Sequence, residues 1–505
     1  MTYDMAGLET LHPFLLLGWL ALIYILLVFF IRVFINIFGA VYCIHFYRKQ
    51  IPLDIYPRDS LYPGVSILVP AYNESHIIVD TIANLLSTDY PKLEVIVIND
   101  GSTDDTHTKI DAKYHLNASL RQPANVLACQ PITTIEYSSI DPRLTVVHKL
   151  NGRKSDALNA GLNVSRYDIF CCVDADGFLQ HNAIRECIQA YLNDDNVVGV
   201  GCGLRVMEGA EIQRVQNPKN SEQTTRKLLG GVSSHWLAGF QTLEYLQSFL
   251  LDRMAWSGFK SVQLLSGAFV MYKKNIVVEA GGYNSHCIGD DSEMTLRVHR
   301  HMALVLKQPY QLVYLPYPLC WTQVPKDPRS LFNQRRRWQR GALNGFWKKP
   351  LLLFNRENWV LGWLSMPYLL AINLIFPAIQ VSAFVICLVF FVFIAALQMA
   401  YGEFAIVFDW QQTIQIVSAV VLVGYSFSVL QSAFTILIDQ LTFNSYSQLK
   451  DKFKLLIYAF LKPIGYAQWV WLARLSGLYL TLIRSRVTHG KMIRHSHILK
   501  KQELV

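Results

Sequence analysis

The chain has 505 residues, of which 52% are hydrophobic and only 16% are charged, and its formal net charge is +9. This composition is too apolar for an ordinary soluble protein and too polar for one that lies in the membrane throughout. The positive charge suits anionic lipid headgroups or a phosphorylated ligand, and no known nucleic-acid-binding module appears, so we expect no nucleic-acid partner. The nine cysteines are scattered without a CxxC pair, which argues against a disulfide framework and a zinc site.

The first predicted element is a membrane anchor. From Phe14 to Ile31 the chain carries no charge, and this stretch is long enough to cross about 30 Å of hydrocarbon as a helix. It lacks the basic start and the cleavage site of a signal peptide, so we expect it to be retained. Arg32, Arg48 and Lys49 follow, and this positive flank predicts that the next part of the chain is cytoplasmic.

From about Ser66 to Pro350, short apolar runs alternate with helical patterns, which is typical of an α/β domain with a largely parallel sheet. The runs VSILVPAY and LEVIVIND enclose the helical pattern SHIIVDTIANLLS, and a third run, YDIFCCVDADG, again ends in acidic residues. Ligands of such sheets bind at the carboxyl ends of the strands, so we expect the active site there. We predict that His107 to Asp141 forms a surface excursion rather than part of the core.

The apolar character returns after Asn358. Two spans are predicted, at Phe376–Met399 and Thr413–Ile438, and the lysine-rich loop after them is expected to be cytoplasmic. By that count, Trp359–Ile375 and Leu455–Ile483 lie along the membrane interface. A re-entrant hairpin over Leu455–Ile483 and five crossings instead of three are the alternatives. The pattern divides the chain into an anchor over residues 1–45, a cytosolic domain over 46–350, interfacial and transmembrane helices over 351–484, and a basic cytoplasmic tail over 485–505.

Two pairs of acidic residues are candidates for chemistry. Asp174 and Asp176 follow an apolar run on alternate positions, where they either form a solvated turn or hold a hard divalent cation such as Mg²⁺ or Mn²⁺. Asp290 and Asp291 begin a predicted helix, which they either cap or equip with a general base. Lys154 begins another predicted helix and is either an anion-facing group or a plain surface lysine.

Six motifs that occur in one order, VPAYNES, VIVINDGSTDDT, GRKSDALNAGL, VDADG, GDDSEMT and QRRRW, resemble those of the membrane-embedded family-2 inverting glycosyltransferases. This family includes cellulose, chitin, hyaluronan and poly-N-acetylglucosamine synthases and the rhizobial chitooligosaccharide synthase. The match runs from about residue 66 to residue 345. The resemblance implies an α/β GT-A-like (Rossmann-like) cytosolic catalytic domain and an α-helical transmembrane region.

The resemblance also implies roles for individual residues. Asp291 would be the catalytic base, and Asp176 would bind Mg²⁺ or Mn²⁺ on the diphosphate of the donor. Asn99 stands where many relatives have another aspartate. The other residues implied at the donor and acceptor site are Ala71, Tyr72, Glu74, Asp100, Lys154, Asp156, Asp174, Gln334, Arg337 and Trp338. We expect Arg335, Arg336 and Arg340 to be interfacial anchors that meet acidic lipid.

The function implied is transfer of a hexose or N-acetylhexosamine from a UDP-sugar to a growing β-linked polysaccharide, processive and coupled to export. The enzyme would be a multi-pass protein of the inner (plasma) membrane with its catalytic domain in the cytoplasm. Its partners would be the UDP-sugar donor, the glycan acceptor, membrane lipids, and export or accessory proteins. A non-processive enzyme that glycosylates a membrane lipid is the alternative.

Overall fold

A mixed β-sheet of ten strands lies at the centre of the fold. The computed structural model describes residues 5–49, 62–217, 220–348, 352–382, 385, 389, 392, 396 and 410–483. The strands are β1 Val65–Ala71, β2 Leu93–Asn99, β3 Leu116–Ala118, β4 Ile132–Ser138, β5 Leu144–Lys149, β6 Ile169–Val173, β7 Phe178–Leu179, β8 Val197–Val206, β9 Glu211–Asn217, β10 Asn220–Leu229, β11 Phe269–Lys273 and β12 Gln311–Thr322. The sheet has the order β3-β4-β5-β2-β1-β6-β11-β8-β12-β7, and β9 pairs separately with β10.

The predicted central strands are confirmed. β1 pairs in parallel with both β2 and β6, and β2 pairs in parallel with β5. Nearly every residue of β1, β2 and β6 is buried, because helices cover both faces, and this explains why these strands read as continuous apolar runs. Their parallel direction brings Ala71, Asn99 and Val173 to the same edge of the sheet.

Helices cover the sheet and continue into the apolar regions. The helices are α1 Met5–Arg48, α2 Ile78–Leu86, α3 Thr106–Tyr114, α4 Arg153–Val164, α5 Ala183–Asn193, α6 Trp236–Leu246, α7 Arg253–Gly258, α8 Lys274–Glu279, α9 Asp290–Arg300, α10 Pro328–Lys348, α11 Val360–Ser382, α12 Trp410–Thr442, α13 Leu449–Leu461 and α14 Tyr466–Leu482. π-Helical turns at Gln247–Asp252, His301–Leu306, Val360–Ser365 and Ala371–Ile375 join or extend these helices.

The segment His107–Asp141 differs from the prediction of a surface excursion. It contains most of α3 and all of β3 and β4, which extend the sheet at one edge. Ile110 and Ile135 are buried in the core. The periodicity was weak because an edge element buries only one side: α3 is otherwise mostly polar, and β4 exposes much of its length.

Three described helical segments are long and apolar enough to cross a membrane: Leu26–Arg48, Val360–Ser382 and Val421–Thr442. The second contains nearly all of Trp359–Ile375, which was expected to lie along the interface. Its length would also allow a crossing, and the interfacial placement stays a prediction. Pro367 lies inside this helix, where the π-helical turn Val360–Ser365 meets the α-helical stretch Met366–Leu370. The predicted span Phe376–Met399 lies mostly outside the described residues.

A buried ion pair joins the sheet to α12. Arg205 of β8 and Asp439 of α12 both have 0% exposure, and Arg205 Nη2 lies 3.1 Å from Asp439 Oδ1. Asp439 also accepts hydrogen bonds from the Ser445 hydroxyl at 2.8 Å and the Ser445 backbone N–H at 3.1 Å. Since a buried charge needs a partner, this pair fixes one position of α12 against the sheet.

We expect Arg205→Ala to lower the free energy of unfolding by about 3–5 kcal/mol, because it leaves the Asp439 carboxylate buried without its cation. Thermal unfolding of the detergent-purified protein measures the change. Replacing both partners, Arg205→Met with Asp439→Leu, should be less damaging than either single change. Arg356→Ala removes an exposed arginine and is the control. A double variant as unstable as Arg205→Ala would contradict this account of the pair.

Candidate active site

A cavity of about 940 Å³ lies against the carboxyl ends of β1, β2 and β6. It is lined by every residue that the sequence placed at the site except Asp156: Ala71, Tyr72, Glu74, Asp100, Lys154, Asp174, Asp176, Asp291, Gln334, Arg337 and Trp338. The cavity continues to Arg32 of α1, Tyr368 of α11 and Arg474 of α14. One space therefore joins the strand ends to helices of the apolar region.

Asp100 organises the wall of the cavity beside α4. Its carboxylate accepts hydrogen bonds from the backbone N–H groups of Gly152 and Arg153 at 3.0 and 2.8 Å. These are amides at the start of a helix, which have no partner within the helix and favour a negative group. The Lys149 ammonium lies 2.5 Å from Asp100 Oδ1 and 2.6 Å from Asp156 Oδ1. Asp156 thus lies behind the cavity wall, where it neutralises Lys149, and does not line the cavity.

The loop that carries Tyr72 and Glu74 is held by the loop after β2. The Asn73 backbone N–H donates to the Ser102 hydroxyl at 3.0 Å, and the Thr103 N–H donates to Asn73 Oδ1 at 2.8 Å. Asn73 has a φ of 56°, a left-handed conformation that asparagine tolerates better than most residues. The two loops therefore support each other at the end of the cavity beside the strands.

Lys154 of α4 lies between two acidic side chains of the cavity. Its Nζ is 2.5 Å from Asp174 Oδ1 and 3.9 Å from Asp290 Oδ2. Burial alone would lower the pKa of Lys154, but the carboxylates of Asp174 and Asp290 outweigh it and raise this pKa well above its usual value. Lys154 is thus a fixed cation inside the cavity rather than a plain surface lysine.

Asp291 lies in the first turn of α9 and lines the cavity. Its Oδ1 accepts the Ser292 N–H at 2.8 Å, and its Oδ2 accepts the Gly267 N–H at 3.4 Å. Burial raises the pKa of Asp291, the neighbouring Asp290 carboxylate raises it further, and Lys154 opposes both. A carboxylate whose pKa is raised is a stronger base than an exposed aspartate, which suits proton abstraction.

Asp174 and Asp176 follow β6 in a tight turn, in which the Gly177 N–H donates to the Asp174 carbonyl at 2.8 Å. Both line the cavity, and Asp176 is only 4% exposed. The carboxylate oxygens of these two residues suit a hard cation such as Mg²⁺ or Mn²⁺, which would share Asp174 with the Lys154 ammonium that lies 2.5 Å from its Oδ1.

The helix α10 presents Gln334, Arg337 and Trp338 to the cavity. The expectation that Arg335 is an interfacial anchor is wrong. Arg335 is 3% exposed, donates to the Glu244 carboxylate at 3.0 and 2.8 Å, and stacks over the Trp338 ring at 4.2 Å. Arg340 is also buried, whereas Arg336 is partly exposed and lies over Phe332. Successive helical residues point about 100° apart, so adjacent arginines meet different surroundings.

Glu244, Arg253 and Arg474 line the cavity and were missed in the sequence. Each is a charged residue in an apolar helical stretch, and that placement is itself a signal, because a charge there is costly unless it has a structural or functional partner. Arg474 of α14 donates to Gln339 Oε1 at 3.0 Å and to the Ile372 carbonyl at 2.8 Å. It thereby joins α14 to α10 and α11.

Comparison with protein families gives two matches. The family described as glycosyl transferase family group 2 matches residues 169–472, and glycosyl transferase family 2 matches residues 66–127. The chain belongs to glycosyl transferase family group 2. This confirms the family that the sequence motifs indicated and, together with the observed sheet and helices, the fold class. The boundaries between domains and the roles of individual residues stay predictions.

Several relatives of this glycosyltransferase are poly-beta-1,6-N-acetyl-D-glucosamine synthases. The protein of Staphylococcus aureus strain COL is 26% identical over 318 residues, which span 62% of this chain and 64% of that relative. The protein of Staphylococcus epidermidis is 26% identical over 329 residues, 63% of this chain and 66% of the relative. Among solved structures, a mannosyltransferase from Pyrobaculum calidifontis in complex with GDP-Man and Mn²⁺ is 19% identical, covers 86% of this chain and 98% of its own, and superposes loosely, with a TM-score of 0.43.

We expect Glu244→Gln to reduce glycosyl transfer at least about tenfold, because it weakens a charge-assisted bidentate contact that contributes roughly 1.5–3 kcal/mol. The reason is indirect: a less firmly held Arg335 allows Trp338 to leave its position. Since the motif resemblance implies that Trp338 contacts the acceptor, steady-state kinetics should show the loss on the acceptor side, with the affinity for the donor nucleotide unchanged. Glu357→Gln alters an exposed glutamate of the same chain and is the control. A lower donor affinity with normal acceptor kinetics would contradict this role.

Proposed function

We propose that this glycosyltransferase transfers a hexose or N-acetylhexosamine from a UDP-sugar to a growing β-linked polysaccharide and passes the product toward its membrane helices. The observation that carries the proposal is the single cavity that extends from the strand-end carboxylates to Arg32, Tyr368 and Arg474. A donor site alone would need only the strand-end half. The other half would give an elongating chain a way out toward the apolar helices.

The donor end supports binding of a nucleotide diphosphate. Tyr72, Glu74 and Asp100 surround one part of the cavity and would meet the nucleoside. Asp174 and Asp176 would hold Mg²⁺ or Mn²⁺, which when bound would stabilise the negative charge of the departing diphosphate. Lys154 adds fixed positive charge beside Asp174. Arg337 lines the same cavity, and an arginine suits phosphate oxygens.

Asp291 is the proposed general base. It would accept the proton of the acceptor hydroxyl as that oxygen attacks the anomeric carbon of the donor sugar. The bond from this carbon to the diphosphate oxygen breaks at the same time, and its electron pair leaves with the diphosphate. One displacement of this kind inverts the anomeric configuration. The fixed position of Asp291 on the first turn of α9 provides the orientation that such a step requires.

The acceptor end supports a carbohydrate rather than an apolar ligand. Trp338 is 42% exposed and would offer its ring to a sugar face, while Arg335 holds the ring from behind. Beyond it, Arg32, Asn373 and Arg474 line the cavity with hydrogen-bonding groups. Polar side chains in apolar helices suit a path for a hydroxyl-rich chain. Processivity and coupling to export are proposed on this basis.

The proposed location is the inner (plasma) membrane, with several crossings and the catalytic domain in the cytoplasm. The helices of spanning length support a membrane location. The basic flank at Arg48 and Lys49 supports the orientation. In this arrangement membrane lipids are neighbours of the enzyme, and export or accessory proteins are proposed partners for the product.

The test of the proposed function is a donor screen followed by sizing of the product. The purified protein, with Mg²⁺ or Mn²⁺, is incubated with individual radiolabelled UDP-sugars, and released UDP and labelled products are measured. We expect one UDP-hexose or UDP-N-acetylhexosamine to give long glycan chains. A product that is a single sugar on an organic-extractable lipid would establish the non-processive alternative. If none of these donors gives UDP release, the proposal is overturned.

We expect Asp291→Asn to reduce transfer by at least about 100-fold, since general-base catalysis contributes roughly 10²–10⁴-fold. Donor binding, measured by UDP titration, should be retained, because the substitution leaves Asp174, Asp176 and Lys154 in place. The control is Asp195→Asn, which makes the same chemical change at an exposed aspartate and should leave transfer unchanged. Near-normal turnover of Asp291→Asn would exclude Asp291 as the base.

The pH profile provides the matched comparison for Asp291. The base works only when deprotonated, and burial and Asp290 raise its pKa, so activity should fall with decreasing pH at a higher pH than for an ordinary aspartate. In Asp290→Asn one of these causes is removed, so the acidic limb should move to lower pH while substantial activity remains. An acidic limb that does not move would show that Asp290 does not act on the base.

A further inference from the structure

Two histidines and a glutamate converge at the edge of the sheet, away from the residues that line the cavity. His107 lies in the first turn of α3, Glu136 on β4 and His148 on β5. Glu136 Oε2 lies 3.0 Å from His107 Nε2 and 2.8 Å from His148 Nε2. The imidazole rings are 4.6 Å apart at an angle of 86°, so both direct a nitrogen to the same carboxylate instead of stacking.

The sheet register explains why these residues meet. Thr134 of β4 pairs with His148 of β5, and Glu136 is two residues further along β4. Side chains two apart on a strand share a face, so Glu136 and His148 point to the same side of the sheet. The α3 helix crosses that side and supplies His107. Ligand atoms of the three residues all lie within 4.8 Å of one another.

We propose that His107, Glu136 and His148 form a binding site for a divalent transition-metal ion, with Zn²⁺ the preferred ion. Two imidazoles and one carboxylate are a donor set for zinc, and water would complete a tetrahedral shell. This chemistry differs from the all-oxygen set of Asp174 and Asp176, which suits Mg²⁺ or Mn²⁺. The His107 side chain is 41% exposed, so ions and water reach the cluster from solvent.

The hydrogen bonds around the cluster specify what metal binding would change. Asn99 Nδ2 lies 3.2 Å from His148 Nδ1, and Asn99 Oδ1 accepts the Ser102 N–H at 3.0 Å. An amide N–H donor at Nδ1 places the His148 proton on Nε2, which then donates to Glu136. A metal on Nε2 moves this proton to Nδ1, and the Asn99 amide must then turn so that its oxygen accepts it.

Asn99 connects the proposed metal site to the donor end of the cavity. It directly precedes Asp100, and Ser102, which it holds, supports the Tyr72–Glu74 loop through Asn73. His148 directly precedes Lys149, the partner of Asp100. A bound metal would therefore act on both sides of the loop after β2. On the basis of the proposed function, we expect loading with Zn²⁺ to change the affinity of the cavity for UDP. The bound metal itself would take no part in the reaction.

The experiment measures metal retention by the full chain, purified in detergent without a histidine tag. The protein is stripped with a chelator, incubated with ZnCl₂, dialysed, and analysed by elemental mass spectrometry. We expect about one Zn²⁺ per chain to be retained. Glu136→Gln, which keeps the size of the side chain and one carbonyl acceptor, should weaken Zn²⁺ binding at least about tenfold. Co²⁺ loaded in place of Zn²⁺ should lose its visible absorption in the same variant.

Two controls separate this site from other sources of metal. Asp176→Asn alters the proposed catalytic ion site and should leave Zn²⁺ retention unchanged. His115→Asn removes an exposed histidine outside the cluster, at a left-handed position that asparagine tolerates, and should also leave it unchanged. Retention of Zn²⁺ in Glu136→Gln equal to that of the unsubstituted protein would overturn the proposal, as would its absence from the unsubstituted protein. Neither readout depends on glycosyl transfer, so the proposed function is tested separately.

Discussion

The wall of the cavity at the strand ends depends on one buried ammonium group. Lys149 is fully buried at its side chain and lies between the carboxylates of Asp100 and Asp156. Burying any of these charges without its partners would cost several kcal/mol, so the three must stay together when the chain folds. The end of β5, the loop after β2 and the first turn of α4 are thereby fixed in one place. Gly152 is required in this arrangement, because a Cβ there would lie 2.3 Å from Asp156 Oδ1.

A second cation, Lys154, lies between the carboxylates that face the cavity. Once the start of α4 is fixed, Lys154 projects into the cavity and meets Asp174 from β6 and Asp290 from α9. These acidic residues and the adjacent Asp291 would repel one another in a partly buried space, and the Lys154 charge offsets that repulsion. The same ammonium lies close to the Gly267 carbonyl, at 3.2 Å. Elements that are far apart in sequence therefore meet because positive charge from α4 lies between their carboxylates.

The sequence predicted the elements that local patterns encode. The predictions failed for side chains whose surroundings are set by residues far away in the chain. Strands buried on both faces read as continuous apolar runs, so β1, β2 and β6 were found, and their parallel ends brought the acidic motifs to one cavity. Arg335 was misplaced because its environment is set by Glu244, which lies 91 residues earlier and leaves no pattern beside it. Asp156 was assigned to the cavity wall for a similar reason, since the Lys149 contact that turns it away is tertiary. The convergence of His107, Glu136 and His148 also depends on strand register, which spacing along the chain does not reveal.

The change of composition near residue 350 does not divide the candidate site. Arg32 of α1, at 3.6 Å from Asp252, and Arg474 of α14 line the same cavity as Asp291 and Trp338. Arg335 is held by Glu244, which also accepts a hydrogen bond from Tyr466 of α14. Charge pairs and hydrogen bonds thus join α10, which carries Trp338, to α6 before residue 350 and to α14 after it. Because these groups are costly to leave buried and unpaired, the end of the cavity at Trp338 requires the apolar helices for its shape, whereas the end at the strands is organised by the sheet and α4.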